Sequence, residues 1–331
     1  MTSAAALSTV EVLRARDSRW PQFILRRTGR LLVSLWVLMT AAFLMVHVIP
    51  GDPIRAALGP TAPVALVEAK RASLGLNDPL IVQYLNYFRR VLTGDFGTSI
   101  QTNIPVADVV AQRLPATASL ALLAFLLSVL ISIPAGVAVA AATRRGRGRK
   151  LELGFASGSV FISAIPDFLL GVTLVAVFGV SLGWLPIAGR SGPESYILPV
   201  ISLSLGPAAV LARIVRVEML GVLEADFVRT ARAKRLPPWR IYLSHALPNA
   251  VTATLTLAGL LLSALVVGTV LVENVFAWPG LGSTIVSSIQ TKDYPVVQAT
   301  VLVYGVGVLI INTLVDAALA LLDPRTTVAE H

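Results

Sequence analysis

Five charged residues stand inside or at the edge of long apolar runs: Asp167, Arg213, Arg216, Glu273 and Asp316. These are the positions where this sequence concentrates its chemical possibilities. A charge held near the middle of a bilayer costs ~2.5–3.5 kcal/mol, so Asp167 must face a polar interior or a water-filled path. Two readings of it stand open. It lines a passage and contacts the cationic group of a solute, or it is a protonated or locally hydrogen-bonded carboxyl inside a helix bundle. Asp316, near the end of the last run, is placed to pair with Arg213 or Arg216, because intramembrane charges usually face the bundle interior and pair with one another. Glu273 opens a turn containing Trp278, Pro279, Gly280 and Gly282. Trp278 suits an interfacial anchor. The Pro-Gly-Leu-Gly run suggests backbone that re-enters the bundle, tolerated only where it lines a cavity or is buried. Glu273 is therefore the second candidate for contact with a passage.

Covalent chemistry has no foothold. The three histidines, His47, His245 and His331, are scattered and make no metal constellation. Cysteine is absent, which excludes disulfides, thiolate metal sites and cysteine nucleophiles. No Gly-x-x-x-x-Gly-Lys-Ser/Thr loop is present to cradle nucleotide phosphates. Ser and Thr are plentiful, but no base stands at a suggestive spacing from any of them. The chain is expected to be no enzyme and to bind no cofactor of its own. If it drives transport, the energy must enter from another subunit.

The elements that must position these residues are membrane helices. Of 331 residues, 55% are hydrophobic and only 14% charged, and the mean hydropathy is +0.77; a soluble protein of that balance could not cover its surface. Runs free of Asp, Glu, Lys and Arg cover Leu31–Gly51, Leu114–Thr143, Phe168–Gly189, Ser195–Ala212, Ile241–Val272 and Tyr294–Val315. Each meets or approaches the ~20 apolar residues that cross a bilayer as a helix. The third is expected to begin earlier, near Leu153, with Asp167 inside it. Six spans result. A net charge of +9 would suit a nucleic-acid partner, but its distribution explains it otherwise. Arginines precede the first run, Arg144 to Lys150 form a second basic group, and Arg213 to Arg240 contain a third. All three fall on one side of a six-span map with both termini inside, so the charge reads as positive-inside topology. The first run is about a full span long and lacks a small-residue cleavage site, which predicts an uncleaved anchor.

One inner loop departs from the usual polar connection. From Asp226 to Ala250 the chain is basic and amphipathic, with Phe227, Ala231, Leu236, Ile241 and Leu243 spaced as in short helices and Pro237-Pro238 between them. Such a loop is built to dock on another protein; the charge alone would favour a lipid-facing helix held by anionic headgroups of membrane lipid. The segment resembles the "EAA" loop of ABC-importer permeases: Glu-Ala-Ala, three residues, Gly, nine residues, Ile, one residue, Leu-Pro. Arg229-Thr230-Ala231 take the first places, His245 the Ile, and Leu247-Pro248 the end, while Arg235 replaces the glycine. If that turn needs a left-handed residue, a side chain there costs about 1–2 kcal/mol.

Further phrases resemble dipeptide/oligopeptide permeases: Leu76-Asn-Asp-Pro-Leu80, Gly94-Asp-Phe-Gly-Thr-Ser99, Arg113-Leu-Pro-Ala-Thr117, Val272-Glu-Asn-Val-Phe-Ala-Trp-Pro-Gly-Leu-Gly282 and Leu322-Asp-Pro-Arg325. In order and together they are specific, and they span the chain from about Arg26 to Arg325. The resemblance implies an all-α membrane protein, the six-helix type I ABC importer permease, in a bacterial inner membrane. The expected division is a basic extension (1–29), a first membrane helix (30–50), an external region (51–113), a five-helix core (114–322) containing the inner loop 224–248, and a tail (323–331). It implies a second homologous permease, two cytoplasmic ATPases carrying ATP and Mg, and an external substrate-binding protein. Docking would fall on Arg229, Thr230, Ala231, Arg232, Ala233, Lys234, Arg235, His245, Leu247 and Pro248, with Arg229, Arg232 and Lys234 as donors to acidic groups. Peptides are the implied cargo, with nickel, glutathione or another small solute as alternatives. A self-contained channel or ion-coupled transporter would need more midplane charges than Asp167 supplies. A membrane scaffold would leave the shaped external region unexplained.

Overall fold

Apolar side chains fill these runs, and in a bilayer the helix is the one open-chain conformation that satisfies its own backbone. The computed structural model describes residues 28–45, 47–48, 53–59, 61–73 and 75–322; the basic extension before Thr28 and the tail from residue 323 lie outside the described residues. In chain order the helices are α1 (Thr28–Met45), α2 (Pro53–Leu58), α3 (Val64–Ser73), α4 (Leu80–Leu92), α5 (Val106–Thr143), α6 (Arg149–Ala164) and α7 (Asp167–Leu174, continued as a π-helix Val175–Ser181). They are followed by α8 (Ile197–Leu223), α9 (Asp226–Ala233), α10 (Pro238–Arg240, continued as a π-helix Ile241–Ala246), α11 (Leu247–Val275), α12 (Leu281–Gln290) and α13 (Tyr294–Leu322).

Five of these are long and apolar enough to cross a membrane, and a sixth crossing exists only if the bent pair α6–α7 is counted as one. The expectation of a continuous third span through Asp167 is thereby corrected: the two halves meet at 90°. Ile165 is extended (φ −77°, ψ 122°) and hands over to Pro166, whose ring disfavours helix at the residue before it and which has no N–H to continue the ladder. Asp167 is the first residue of the second half. The second span differs in length. Its helix begins at Val106, outward of the apolar run, and reaches 38 residues, or ~57 Å at 1.5 Å per residue.

The spans pack through small residues, as bilayer helices do where backbones approach closely. A Cβ on Gly136 of α5 would stand 2.6 Å from Val215 Cβ and 2.7 Å from the Ala212 carbonyl of α8. Ser128 of α5 donates across to the Ser204 carbonyl of α8 (2.9 Å). Exposed apolar residues such as Leu122, Leu126 and Leu130 recur along α5 on the side away from this contact.

The external region is a packed cap. Tyr84, Tyr87 and Phe88 of α4 close on Met39 and Phe43 of α1 and on Leu302 of α13, with Phe43 and Tyr84 edge to face at 5.3 Å and Thr40 sharing a hydrogen bond with the Tyr84 hydroxyl (2.9 Å). Burial and the nearby Tyr84 push the Tyr87 hydroxyl well above the usual phenol range. A second tie lies at Asp293, which is buried. It accepts from the Ser99 hydroxyl and the Ile100 N–H (3.0 Å), joining the cap to the loop that precedes α13.

Candidate functional site

The inner loop is a short helix seated on the ends of the spans. On α9 the inward residues are Val228 and Ala231, three apart and both buried, and they join Ala140, Val215, Met219, Leu223, Ile241, Ala246 and Ala250 in one apolar cluster. Phe227 and Leu243, which the spacing suggested as inward, point out instead, as does Trp239. The helical repeat centres the seat between 228 and 231, so 227, although four residues from 231, falls on the flank and is exposed.

Arg235 answers the question raised by the missing glycine. Its φ is +58°, so the position is left-handed and carries a side chain at the cost given above. Its N–H donates to the Arg232 carbonyl (2.9 Å), and the Leu236 N–H reaches back to the Ala231 carbonyl (3.3 Å). This pair is the Schellman closure, completed by Leu236 packing on the cluster that holds Ala231. Pro238 then opens α10 at a position where its missing N–H has no intrahelical role.

The three expected donors separate. Arg232 turns inward and donates to the Leu223 carbonyl at the end of α8 (3.2 Å), where a cation also meets the negative end of the helix dipole. Arg229 lies beside Asp226 (3.1 Å), both largely exposed, a pair worth little by itself. Lys234 is exposed, with Thr230, Ala233 and Arg235. His245 and Leu247 are half-buried, the His245 carbonyl accepting from Asn249 (2.8 Å), and Pro248 is exposed in the first turn of α11.

At the outer end Glu273 proves to be a clamp inside the wall, which corrects the expectation of a passage contact. It is fully buried. The Thr117 hydroxyl donates to its Oε1 (2.6 Å) and the Ser283 N–H to its Oε2 (3.0 Å). Thr117 Oγ1 in turn accepts from the Leu281 N–H (2.8 Å). A Cβ on Gly280 or Gly282 would stand 2.4 or 2.8 Å from the Glu273 carboxylate, so only glycine lets the turn close over it. Trp278 is fully buried, its indole N–H donating to the Ala116 carbonyl (3.1 Å), and Tyr196 meets it edge to face at 4.6 Å. It is a core residue and no interfacial anchor. Thr117 was the residue sequence reasoning missed; a lone Thr in an apolar run gives no sign of serving two partners.

Asp167 lies between α8 and α11. A Cβ on Gly206 would be 3.3 Å from its Oδ1, and one on Gly268 3.7 Å from its Oδ2. Arg216 is engaged at the inner end by Glu152 (2.7 Å) and Thr143 (3.2 Å), tying α8 to α5 and α6; Arg213 is half-buried on α8. The side chain of Asp316 lies outside the described residues. Among the described residues no group of three His, Cys, Asp or Glu side chains is arranged to hold a metal ion.

Known proteins resemble this chain along most of its length. Residues 132–328 match the model for the binding-protein-dependent transport system inner membrane component, and residues 21–121 match the N-terminal model of the same membrane components. The glutathione transport system permease protein GsiC of Escherichia coli K12 is 37% identical over 302 residues, covering 91% of this chain and 97% of that one. GsiC of Salmonella typhimurium LT2 is 39% identical over the same shares. Among solved structures, the inward-facing MetNI methionine ABC transporter is similar in fold, with a TM-score of 0.56 at 20% identity over 66% of this chain and 98% of that one. With matches of this extent, the chain belongs to the inner-membrane components of binding-protein-dependent transport systems.

Proposed function

We propose that the chain is one of two permease subunits of an ABC importer for small peptides or peptide-like solutes. It lies in the bacterial inner membrane with both termini inside. A second homologous permease completes the passage, an external binding protein delivers the cargo, and two cytoplasmic ATPases carry ATP and Mg. The peptide-permease phrases and the glutathione permeases support this cargo class, glutathione being itself a tripeptide with a free α-amino group.

The observation that carries the docking role is the two-sidedness of α9 and α10. One face is locked into the span ends by Val228, Ala231 and the bond from Arg232 to the Leu223 carbonyl. The other presents Phe227, Trp239 and Leu243 beside Arg229, Lys234 and Arg235. An ATPase gripping the outer face moves a rigid body, and α8 and α5 receive that motion through the seat. Alternating access follows when both permeases are moved together. The test replaces Trp239 with Ser and reverses Arg229 and Lys234 to Glu, leaving Arg232 in place. Co-purifying ATPase and uptake should both fall while the permease stays in the membrane at normal amounts. Retention of both overturns the docking role.

A further inference from the structure

We infer that Asp167, set between Gly206 and Gly268, is a cation-binding position in the passage wall that takes the ammonium group of the transported solute. The inference rests on the reading of the chain as half of an importer's passage.

Three observations carry it. First, the depth is right. Gly206 is nine residues inside the outer end of α8 and Gly268 seven residues inside the outer end of α11, which puts the carboxylate ~10–14 Å below the helix ends at 1.5 Å per residue. Second, the carboxylate has no hydrogen-bond or ion-pair partner among the described residues. Glu273, fully buried where Asp167 is half-buried, by contrast accepts from Thr117 and Ser283. Arg213, the next basic residue along α8, lies seven residues further in, ~10 Å along the helix. Third, the two facing positions are glycines. A methyl at 206 would crowd Oδ1, and one at 268 would lie in ordinary contact with Oδ2, so neither facing position covers the oxygens with a side chain.

The break at Ile165–Pro166 explains how an acid comes to be there. A straight third span would carry residue 167 onward along its own axis. The 90° bend instead starts a new helix at Asp167, which turns its carboxylate toward Gly206 and Gly268. The site therefore reads charge with an acid, and small size with two glycines. Its ligand class is a primary ammonium, as borne by the amino end of a peptide.

The experiment uses the assembled complex in vesicles with binding protein already loaded, so that differences in loading drop out. A peptide with a free amino end is compared with its acetylated form in wild type, Asp167→Asn and Asp167→Glu. Loss of a charge-assisted hydrogen bond predicts that Asn lowers transport of the free peptide by about ten- to a hundredfold relative to the acetylated one, while Glu keeps the preference. An equal loss for both peptides, or no loss for either, overturns the inference. A second measurement needs no cargo. The chain has no cysteine, and Gly268→Cys puts a thiol in ordinary contact distance of Asp167. A cationic thiol reagent should react with it at least about tenfold faster than an anionic one, as an adjacent carboxylate demands, and Asp167→Asn should abolish the preference. A thiol that is unreactive, or indifferent to reagent charge, overturns it. If these variants assemble with ATPase and transport normally, this inference alone fails; if the wild-type chain binds no ATPase, the importer reading fails first.

Discussion

Replacing Glu273 should be the most damaging single change at the outer end of the bundle. Alanine there leaves the Thr117 hydroxyl and the Ser283 N–H without the acceptors they now reach at 2.6 and 3.0 Å. Each orphaned buried donor costs about 1–3 kcal/mol. Two such donors near the middle of that range cost ~3–5 kcal/mol before the void is counted, which at ~2 °C per kcal/mol for a chain of this length lowers Tm by at least ~6–10 °C. Glutamine keeps the shape and one acceptor but offers an amide N–H₂ where the second acceptor stood, so it should fall between alanine and wild type. Thermal unfolding of the purified chain in detergent, followed by tryptophan fluorescence, reads this directly because Trp278 is part of the same turn. Thr117→Val supplies the control. Since Thr117 also accepts from the Leu281 N–H, the double variant should lose less than the two single losses added, by ~0.5–3 kcal/mol. A Glu273→Ala chain melting within 2 °C of wild type, a margin well inside the ~6–10 °C expected, would refute the clamp.

Arg235→Gly removes the side chain's left-handed cost of ~1–2 kcal/mol and adds ~0.5–1 kcal/mol of glycine entropy; amide exchange at 235 and 236 should slow by up to about tenfold, and faster exchange would contradict the turn. Tyr87→Phe deletes a buried hydroxyl that has no hydrogen-bond partner, so it should be neutral or stabilising by up to ~1–3 kcal/mol in the same melting assay, and a clear loss would reveal a partner for the hydroxyl. Single cysteines at Asn77 and Gln290, both exposed, should label from outside and one at Gly146 from inside; external labelling at Gly146 would overturn the orientation.

Much of this fold was legible because bilayer helices announce themselves by composition, and the inner loop because its spacing matched a known pattern down to the substituted glycine. Prolines were harder to read. Pro115 and Pro134 ride inside α5 and Pro207 inside α8, whereas Pro166 breaks the third span. What separates them is the extended Ile165 and the room between α8 and α11, neither of which is a local property. Glu273 was misplaced for the same reason. An acid beside a Pro-Gly turn looks exposed until Thr117, 156 residues earlier, is seen to meet it. The face of α9 was read one residue out because 227/231 and 228/231 are both permitted helical pairs, and only the seat decides between them.

The tie between Ser99, Ile100 and Asp293 also sets a clock. Its two sides are 194 and 193 residues apart, and a ribosome adding ~5–20 residues per second takes ~10–40 s to cover that interval. In the orientation proposed above, the cap crosses the membrane before the acid that fastens it has been synthesised. The nascent chain then exports a domain with its lock unmade, and Asp293 crosses later to join it. An external protease added during synthesis would therefore find the cap open to cutting until the chain passes that residue, and sealed afterwards.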